Sequence, residues 1–473
     1  MMEAPFAVSA NEQGHLTVDG MDVVSLAERF GTPLYVLSER AIRERCRSYR
    51  AAMRAVDPQG EVVYAGKALL TTAIARILDE EGLHLDVVSG GELYTALAAG
   101  FPAERIHFNG NAKTQAEIEL AINAGIGRFI VDNFGEIELI ETVAAAAGKR
   151  VTALIRVTPG IEAHTHEFIQ TGVTDSKFGF NYEGGQAFAA AERILRSRHI
   201  VLAGLQCHLG SQILAREPFE RAAEVMIQLA DEIRSRLGYT VGELDLGGGL
   251  GVRYLAGDNP PSVAELLAGM GAAVRSACAA RGLPVPRLIV EPGRSIVAEA
   301  GLILYRVSAV KDIPGVRRYV AVDGGMADNI RPALYGARYT IINASRLGEA
   351  NAAPVTVAGR CCESGDIVAR DVALPESHVG DILAVLTAGA YTFSMASNYN
   401  RLPRPAMVLV GDGCADLIVE RQSYQDVIAQ DRIPVRLLAR AEVAVCAGGE
   451  LLPVRRDESV GCSARGQLHQ KLK

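Results

Sequence analysis

The chain has 473 residues, 49% hydrophobic and 22% charged, the balance of a soluble globular protein with room for a large core and an appended domain. Its net charge of −7 argues against a broad phosphate-binding surface, and so against nucleic acid as a partner. Eight cysteines without CxxC spacing point to reduced thiols and no metal site, the opening MMEAPFAVSANEQGHL lacks the marks of a signal peptide, and no run of about 18 apolar residues offers a membrane span, so a cytoplasmic enzyme is expected.

Taken in chain order, residues 1–37 hold two strand-like runs, HLTVDG and PLYVLS, expected to join a β domain formed further on. A repeating unit then begins. Short apolar runs start at Glu61 (EVVYAG), His84 (HLDVVS), Arg105 (RIHFNG), Arg128 (RFIVDN), Val151 (VTALIRVTP), Ile200 (IVLAGLQCHLG), Glu243 (ELDLGGG) and Arg287 (RLIVEPGR). Between them apolar residues recur at helical spacing, as in TTAIARILDE and FERAAEVMIQLADEIRSRL, and Ser89 with Glu92 spells a capping box. Eight apolar strands alternating with helices predict an α/β fold, a parallel sheet closed into a (β/α)₈ TIM-type barrel over residues 38–300. An open doubly wound sheet shares that alternation, but GGGLGV lacks the third Gly of GxGxxG, which weakens a dinucleotide-binding version. The first four strands begin only about two dozen residues apart, short for a βαβ unit of ~30. After Ala300 the runs RYVAVDGG, APVTVAG, DILAVLTAGAY and PAMVLVG follow without long helices, predicting an antiparallel β domain over 301–431. Residues 432–473 read as an extension whose polar end, RRDESVGCSARGQLHQKLK, is expected to be disordered.

Chemistry in such barrels gathers at the C-terminal strand ends. There the sequence places Lys67, Asn109, His208, Ser211, Gly247–Gly249 and Glu291-Pro292-Gly293-Arg294, while polar groups read as scarce at the other end. Taken singly, the lysine is an ordinary solvated loop charge, the glycines a turn and the histidine a structural residue. Together they supply an amine, backbone donors and an arginine for a phosphate, an imidazole and a carboxylate, the set that pyridoxal phosphate needs.

Ten stretches occur in order: YAGKAL around Lys67, DVVSGGEL from Asp86, FNGNAKT from Phe108, AHTHEFIQTGVTDSKFGF from Ala163 and CHLGSQI from Cys207. DLGGGLG from Asp245, EPGRS from Glu291, NIRPALY from Asn329, CESGD from Cys362 and GAY with SNYNRLPRP from Gly389 complete the series. From roughly Thr17 to Asp431 the chain thereby resembles the fold-type III pyridoxal phosphate decarboxylases, which pair an alanine-racemase-type barrel with a β domain, and among them the diaminopimelate decarboxylases. The resemblance implies pyridoxal 5′-phosphate as cofactor, Lys67 as the Schiff-base lysine, His208 stacked on the ring, and Glu291 at the pyridine nitrogen. Ser211, Gly248, Gly249, Gly293 and Arg294 would hold the phosphate. Arg294, Arg331 and Tyr335 would hold the substrate's distal carboxylate, Glu363 its distal ammonium, and Tyr391 would touch cofactor and substrate. Cys362 would donate a proton, with Cys361 read as packing. In this family the CES segment enters the neighbouring subunit's barrel, which implies a homodimer with shared active sites. The implied reaction is decarboxylation of meso-2,6-diaminopimelate to L-lysine, the last step of lysine biosynthesis, with the HTHEF loop as a lid. Three alternatives stand beside it: a decarboxylase of carboxynorspermidine or a carrier-bound glutamyl group, an inactive regulatory homologue, and an amino acid racemase. The chain departs from the family pattern at Leu69, at Arg360 and in its extension after Asp431.

Overall fold

In the computed structural model of the protein, which describes residues 8–161, 172, 175–434 and 437, all eight expected runs are strands. They span Glu61–Ala65, His84–Val87, Ile106–Phe108, Arg128–Val131, Val151–Thr158, Ile200–Cys207, Glu243–Asp245 and Arg287–Val290. Neighbours are parallel throughout, and the ring closes where the eighth strand pairs with the first, Ile289 opposite Glu61. The fold is therefore a closed (β/α)₈ barrel rather than an open sheet. Short helices account for the tight early spacing: Thr72–Glu80 and Gly90–Ala98 have nine residues each, and Gln115–Ala124 has ten. Ser89 does cap its helix by accepting the Glu92 N–H, but the Glu92 carboxylate reaches the Val88 N–H instead of closing the expected box. The HTHEF loop and the tail after residue 437 lie outside the described residues.

Alternate residues of a strand face one side, and inside this barrel they build three layers. Val63, Ile130, Leu154 and Ile289, all fully buried, form an apolar plug separate from the main core. Two residues further along their strands stand Ala65, Asp132, Arg156 and Glu291, and two residues before stand Glu61, Arg128, Thr152 and Arg287. The N-terminal end of the barrel is thus strongly polar, contrary to the sequence reading. There Arg128 binds Glu243 across the ring at 2.6 Å, Arg287 binds Glu61 at 2.7 Å, and Arg128 donates to His107 Nε2 at 3.2 Å. The ligand atoms of Glu61, His84 and His107 lie within 4.8 Å of one another, near enough for a cation. Since Arg128 occupies His107 Nε2 and two arginines share Glu61, the cluster is built as an ion-pair lattice.

That lattice makes the protein acid-sensitive. Burial, reinforced by Arg128, Arg105 and Arg287, holds His84 down to about 4, and burial with Arg128 holds His107 well below its ordinary value. A histidine depressed in the folded state binds fewer protons folded than unfolded, so stability falls as pH drops from 6.5 through about 4. For His84 alone the loss is about 3 kcal/mol. Calorimetry across this window should show the melting temperature falling steeply in the wild type and less so in His84→Gln/His107→Gln. Equal slopes would place the acid sensitivity elsewhere.

The second sheet has nine strands, centred on the 13-residue strand Gly301–Ile313. It pairs antiparallel with Leu34–Ser38, Arg317–Val322 and Ile382–Val385, so PLYVLS sits in the middle of this sheet. HLTVDG instead contributes Leu16–Val18 to a separate three-stranded sheet. The sheet is mainly antiparallel, as expected, with two parallel pairs: Leu34–Ser38 runs parallel to Ala406–Gly411, and Arg317–Val322 parallel to Val355–Ala358. Both pairs join strands distant in sequence, which no hairpin connects. One helix, Val263–Arg281, is by length and composition apolar enough to cross a membrane, although Glu265 and Arg275 interrupt the run. It packs against the helices Glu39–Val56 and Glu217–Leu237, burying Leu266, Leu267, Met270 and Val274. From Gln422 the chain forms a second unit, in which Ser423 caps the short helix Tyr424–Ile428.

Candidate active site

A pocket of about 700 Å³ opens at the C-terminal strand ends, and Lys67, His208, Ser211, Arg294, Arg331, Tyr335 and Tyr391 line it. Lys67 sits in the turn Gly66–Ala68 that leaves the first strand. A Cβ on Gly66 would meet Asp86 O at 2.9 Å, so only glycine lets the turn close against the second strand. The other domain clamps the same turn: Ala68 O accepts the Tyr391 N–H at 2.8 Å and the Ser394 hydroxyl at 3.1 Å. Tyr391 takes a φ of 58° to do so, uncommon for a residue with a side chain.

Beyond the seventh strand, Gly247, Gly248 and Gly249 run so close to the neighbouring loops that a Cβ on any of them would collide with a backbone oxygen, of Cys207, Glu291 and Gly210 respectively. The backbone is thereby bared beside His208, whose Nδ1 accepts the Gly248 N–H at 3.3 Å. Burial, with the charges of Lys67 and Arg156, keeps this imidazole neutral by holding its pKa far below the usual range. Gly293 sits against Ala65 and Ala68, and the next residue, Arg294, directs two N–H groups onto Ser211 Oγ at 3.2 and 2.8 Å. Its remaining nitrogen donates to Tyr254 Oη at 2.6 Å.

Glu291 is buried beneath the pocket, 6% exposed. Asn109 Nδ2 donates to its Oε1 at 3.2 Å and Gln206 Nε2 to its Oε2 at 2.9 Å. Burial raises its pKa, while Lys67, Arg156 and the Gln206 amide oppose the rise. Arg331 opens a short helix, Arg331–Tyr335, and its guanidinium faces the rings of Tyr254, Tyr335 and Tyr391 at 5.6–5.9 Å. Its Nε is buried without a hydrogen-bond acceptor.

Cys362 and Glu363 are not brought to this pocket. Both are exposed, in the loop between the strands Val355–Ala358 and Ile367–Val372. Asp366 Oδ2 accepts the N–H of buried Cys361 at 2.7 Å, and Asn400 Oδ1 that of Cys362 at 2.7 Å, so the loop is held firmly yet faces outward.

Sequence reasoning missed Asp86, Arg156, Gln206 and Asp245, which surround Glu291, and Tyr254, which joins Arg294 to Arg331. The first four were legible as polar residues in the inward register of their strands. Tyr254 lies in an irregular loop with no periodic signal. Pyridoxal phosphate suits this site on its own chemistry. An amine stands on the wall with Ser211 and Arg294, a glycine loop that admits no Cβ passes beside His208, and a buried carboxylate with two amide donors lies below.

Residues 39–298 match the family model of the pyridoxal-dependent decarboxylases, pyridoxal binding domain. The diaminopimelate decarboxylase of Bacillus subtilis is 49% identical over 421 residues, covering 89% of this chain and 96% of that protein. That of Staphylococcus aureus is 44% identical over 425 residues, covering 90% and 99%. Among solved structures, the diaminopimelate decarboxylase of M. jannaschii in complex with L-lysine superimposes with a TM-score of 0.87 at 38% identity, over 92% of this chain and all of that one.

Proposed function

The chain belongs to the diaminopimelate decarboxylase family of pyridoxal-dependent decarboxylases, and from that premise we infer that it converts meso-2,6-diaminopimelate to L-lysine and carbon dioxide. Pyridoxal 5′-phosphate, when bound, supplies the electron sink for the pair left behind by the departing carboxylate. Lys67 would offer the amine that anchors it, and Ser211 and Arg294 donors for its phosphate, with Gly248, Gly249 and Gly293 leaving the backbone open beside them. His208 would offer the ring a flat neutral face, and Glu291, ionised between two amides, would favour the protonated form of the ring nitrogen.

The observation that carries the substrate assignment is Arg331. A buried guanidinium nitrogen without an acceptor, ringed by tyrosines, suits a second carboxylate on the substrate. A simple diamine precursor such as ornithine has none to offer. Holding the far end of the substrate at Arg331, Arg294 and Tyr335 fixes which Cα bond stands in line to break.

Cys362 is assigned as the proton donor and Glu363 as the partner of the distal ammonium, each serving the pocket of a second copy of the chain. Their exposure, away from the pocket of their own chain, supports a homodimer with shared sites. The six cysteines among the described residues are all unpaired, which supports a cytoplasmic location.

Product analysis tests the reaction. The protein loaded with pyridoxal phosphate is incubated with meso-diaminopimelate, the LL isomer, ornithine and arginine, and lysine is expected from the meso isomer alone. Cofactor binding without turnover of any of the four would transfer the assignment to a carboxynorspermidine-type or carrier-bound substrate.

A further inference from the structure

Three carboxyls crowd together beneath the pocket: Asp86, Asp245 and Glu291, at 2%, 0% and 6% exposure. Two cations face the group, Lys67 and Arg156, and Arg156 also lies 3.8 Å from Asp132. Three buried negative charges would exceed that compensation, so at least one proton is held among them.

The donors show where. Each oxygen of Glu291 has its own amide N–H. Arg156 donates to Asn109 Oδ1 at 3.2 Å, which fixes the amide with its NH₂ turned toward Glu291. Glu291 is thus surrounded as a carboxylate. Asp245 is surrounded differently: Oδ1 accepts the Gly247 N–H at 2.8 Å, whereas Oδ2 is buried without a donor on the strand beside that of Glu291, Asp245 lying opposite Ile289 and the Glu291 N–H donating to Gly247 O. Asp86 Oδ1 is bare as well, but Asn109 serves that carboxyl. Two bare carboxylate oxygens in contact repel, while one proton between them makes a strong charge-assisted bond. Glu291 already has two donors and Asp245 Oδ2 has none, so the proton belongs on Asp245.

We infer that Asp245 is held as a neutral carboxylic acid that donates its Oδ2 proton to Glu291, a positioning residue that keeps Glu291 ionised and aimed upward. The role rests on the assignment of Glu291 to the ring nitrogen; the location of the proton does not. Burial, and then the charge of Glu291, push the Asp245 carboxyl well above its usual range, in agreement with the geometry. A neutral donor here strengthens Glu291 without adding a second negative charge to compete for the ring proton.

Infrared difference spectroscopy at neutral pH reads the proton directly. Wild type minus Asp245→Asn, with pyridoxal phosphate bound and again after its removal, should show the loss of one protonated-carboxyl band in both states. In Glu291→Gln that band should shift, because the acid loses its charged acceptor; this second variant decides the matter should Asp245→Asn fail to fold. The Asn side chain can still donate toward Glu291, so Asp245→Asn should exceed Asp245→Leu in kcat by about tenfold or more, with KM little different. A band unchanged in Asp245→Asn, lost instead in Asp86→Asn, or unshifted in Glu291→Gln would overturn the inference. If the band behaves as expected but Glu291→Gln keeps full kcat, the ring-nitrogen assignment fails and the proton stays where it is placed.

Discussion

Lys67→Ala is expected to abolish the visible absorbance of bound pyridoxal phosphate and to lower decarboxylation by about 10²–10⁴-fold or more, the range for removing a group that also moves protons. The expectation follows from where the turn Gly66–Ala68 leaves the first strand, with Ala68 clamped by Tyr391 and Ser394, so that residue 67 is delivered to the pocket wall by backbone alone. Truncating the side chain leaves those bonds in place, and the fold should persist with the melting temperature of the cofactor-free protein almost unchanged. Borohydride reduction of the wild type followed by peptide mapping should put the cofactor on Lys67. A modified lysine elsewhere, or absorbance retained in the variant, would reject the assignment.

Mixing Lys67→Ala subunits with Cys362→Ala subunits, each inactive alone, should restore about a quarter of wild-type activity. If chains redistribute at random, half of the dimers are mixed, and each mixed dimer has one intact site of two. Cys362 is exposed and absent from the pocket of its own chain, with its amide tied to Asn400, so a thiol acting on the substrate has to reach it from another copy. The assay requires proof of exchange, for example by tagging one variant. Exchange without recovered activity would return both residues to one chain's site and contradict the shared-site dimer.

The barrel was legible because its eight strands are short apolar runs separated by helical periods, and a closed parallel ring of eight leaves few alternatives. The carriers of chemistry on the wall were legible too, since Lys67, His208, Ser211 and Arg294 follow strands directly. What escaped was the interior register. Arg128, Arg156, Gln206 and Asp245 look like interruptions in apolar runs, and become meaningful only when alternate residues are assigned to the inside. The same oversight hid the charged N-terminal end, where Glu61 and Glu243 both take up Arg128 from across the ring. Pairings between sequence-distant strands, such as Leu34–Ser38 with Ala406–Gly411, leave no local trace at all, which is why the two parallel pairs of the second sheet were not legible. Where Cys362 points is likewise a tertiary fact.

The apolar plug of Val63, Ile130, Leu154 and Ile289 is a partial electrical insulator. It separates two charged systems that share the same strands, in a medium where a bare charge is costly and water finds no partner. The separation is incomplete on the other strands, where His84 is followed two residues on by Asp86, His107 by Asn109 and Glu243 by Asp245, and Arg128 at the base interacts with the charge of Asp245. A charge gained at the base is therefore felt, at reduced strength, by the carboxyls at the mouth, so stability and catalysis titrate in part together.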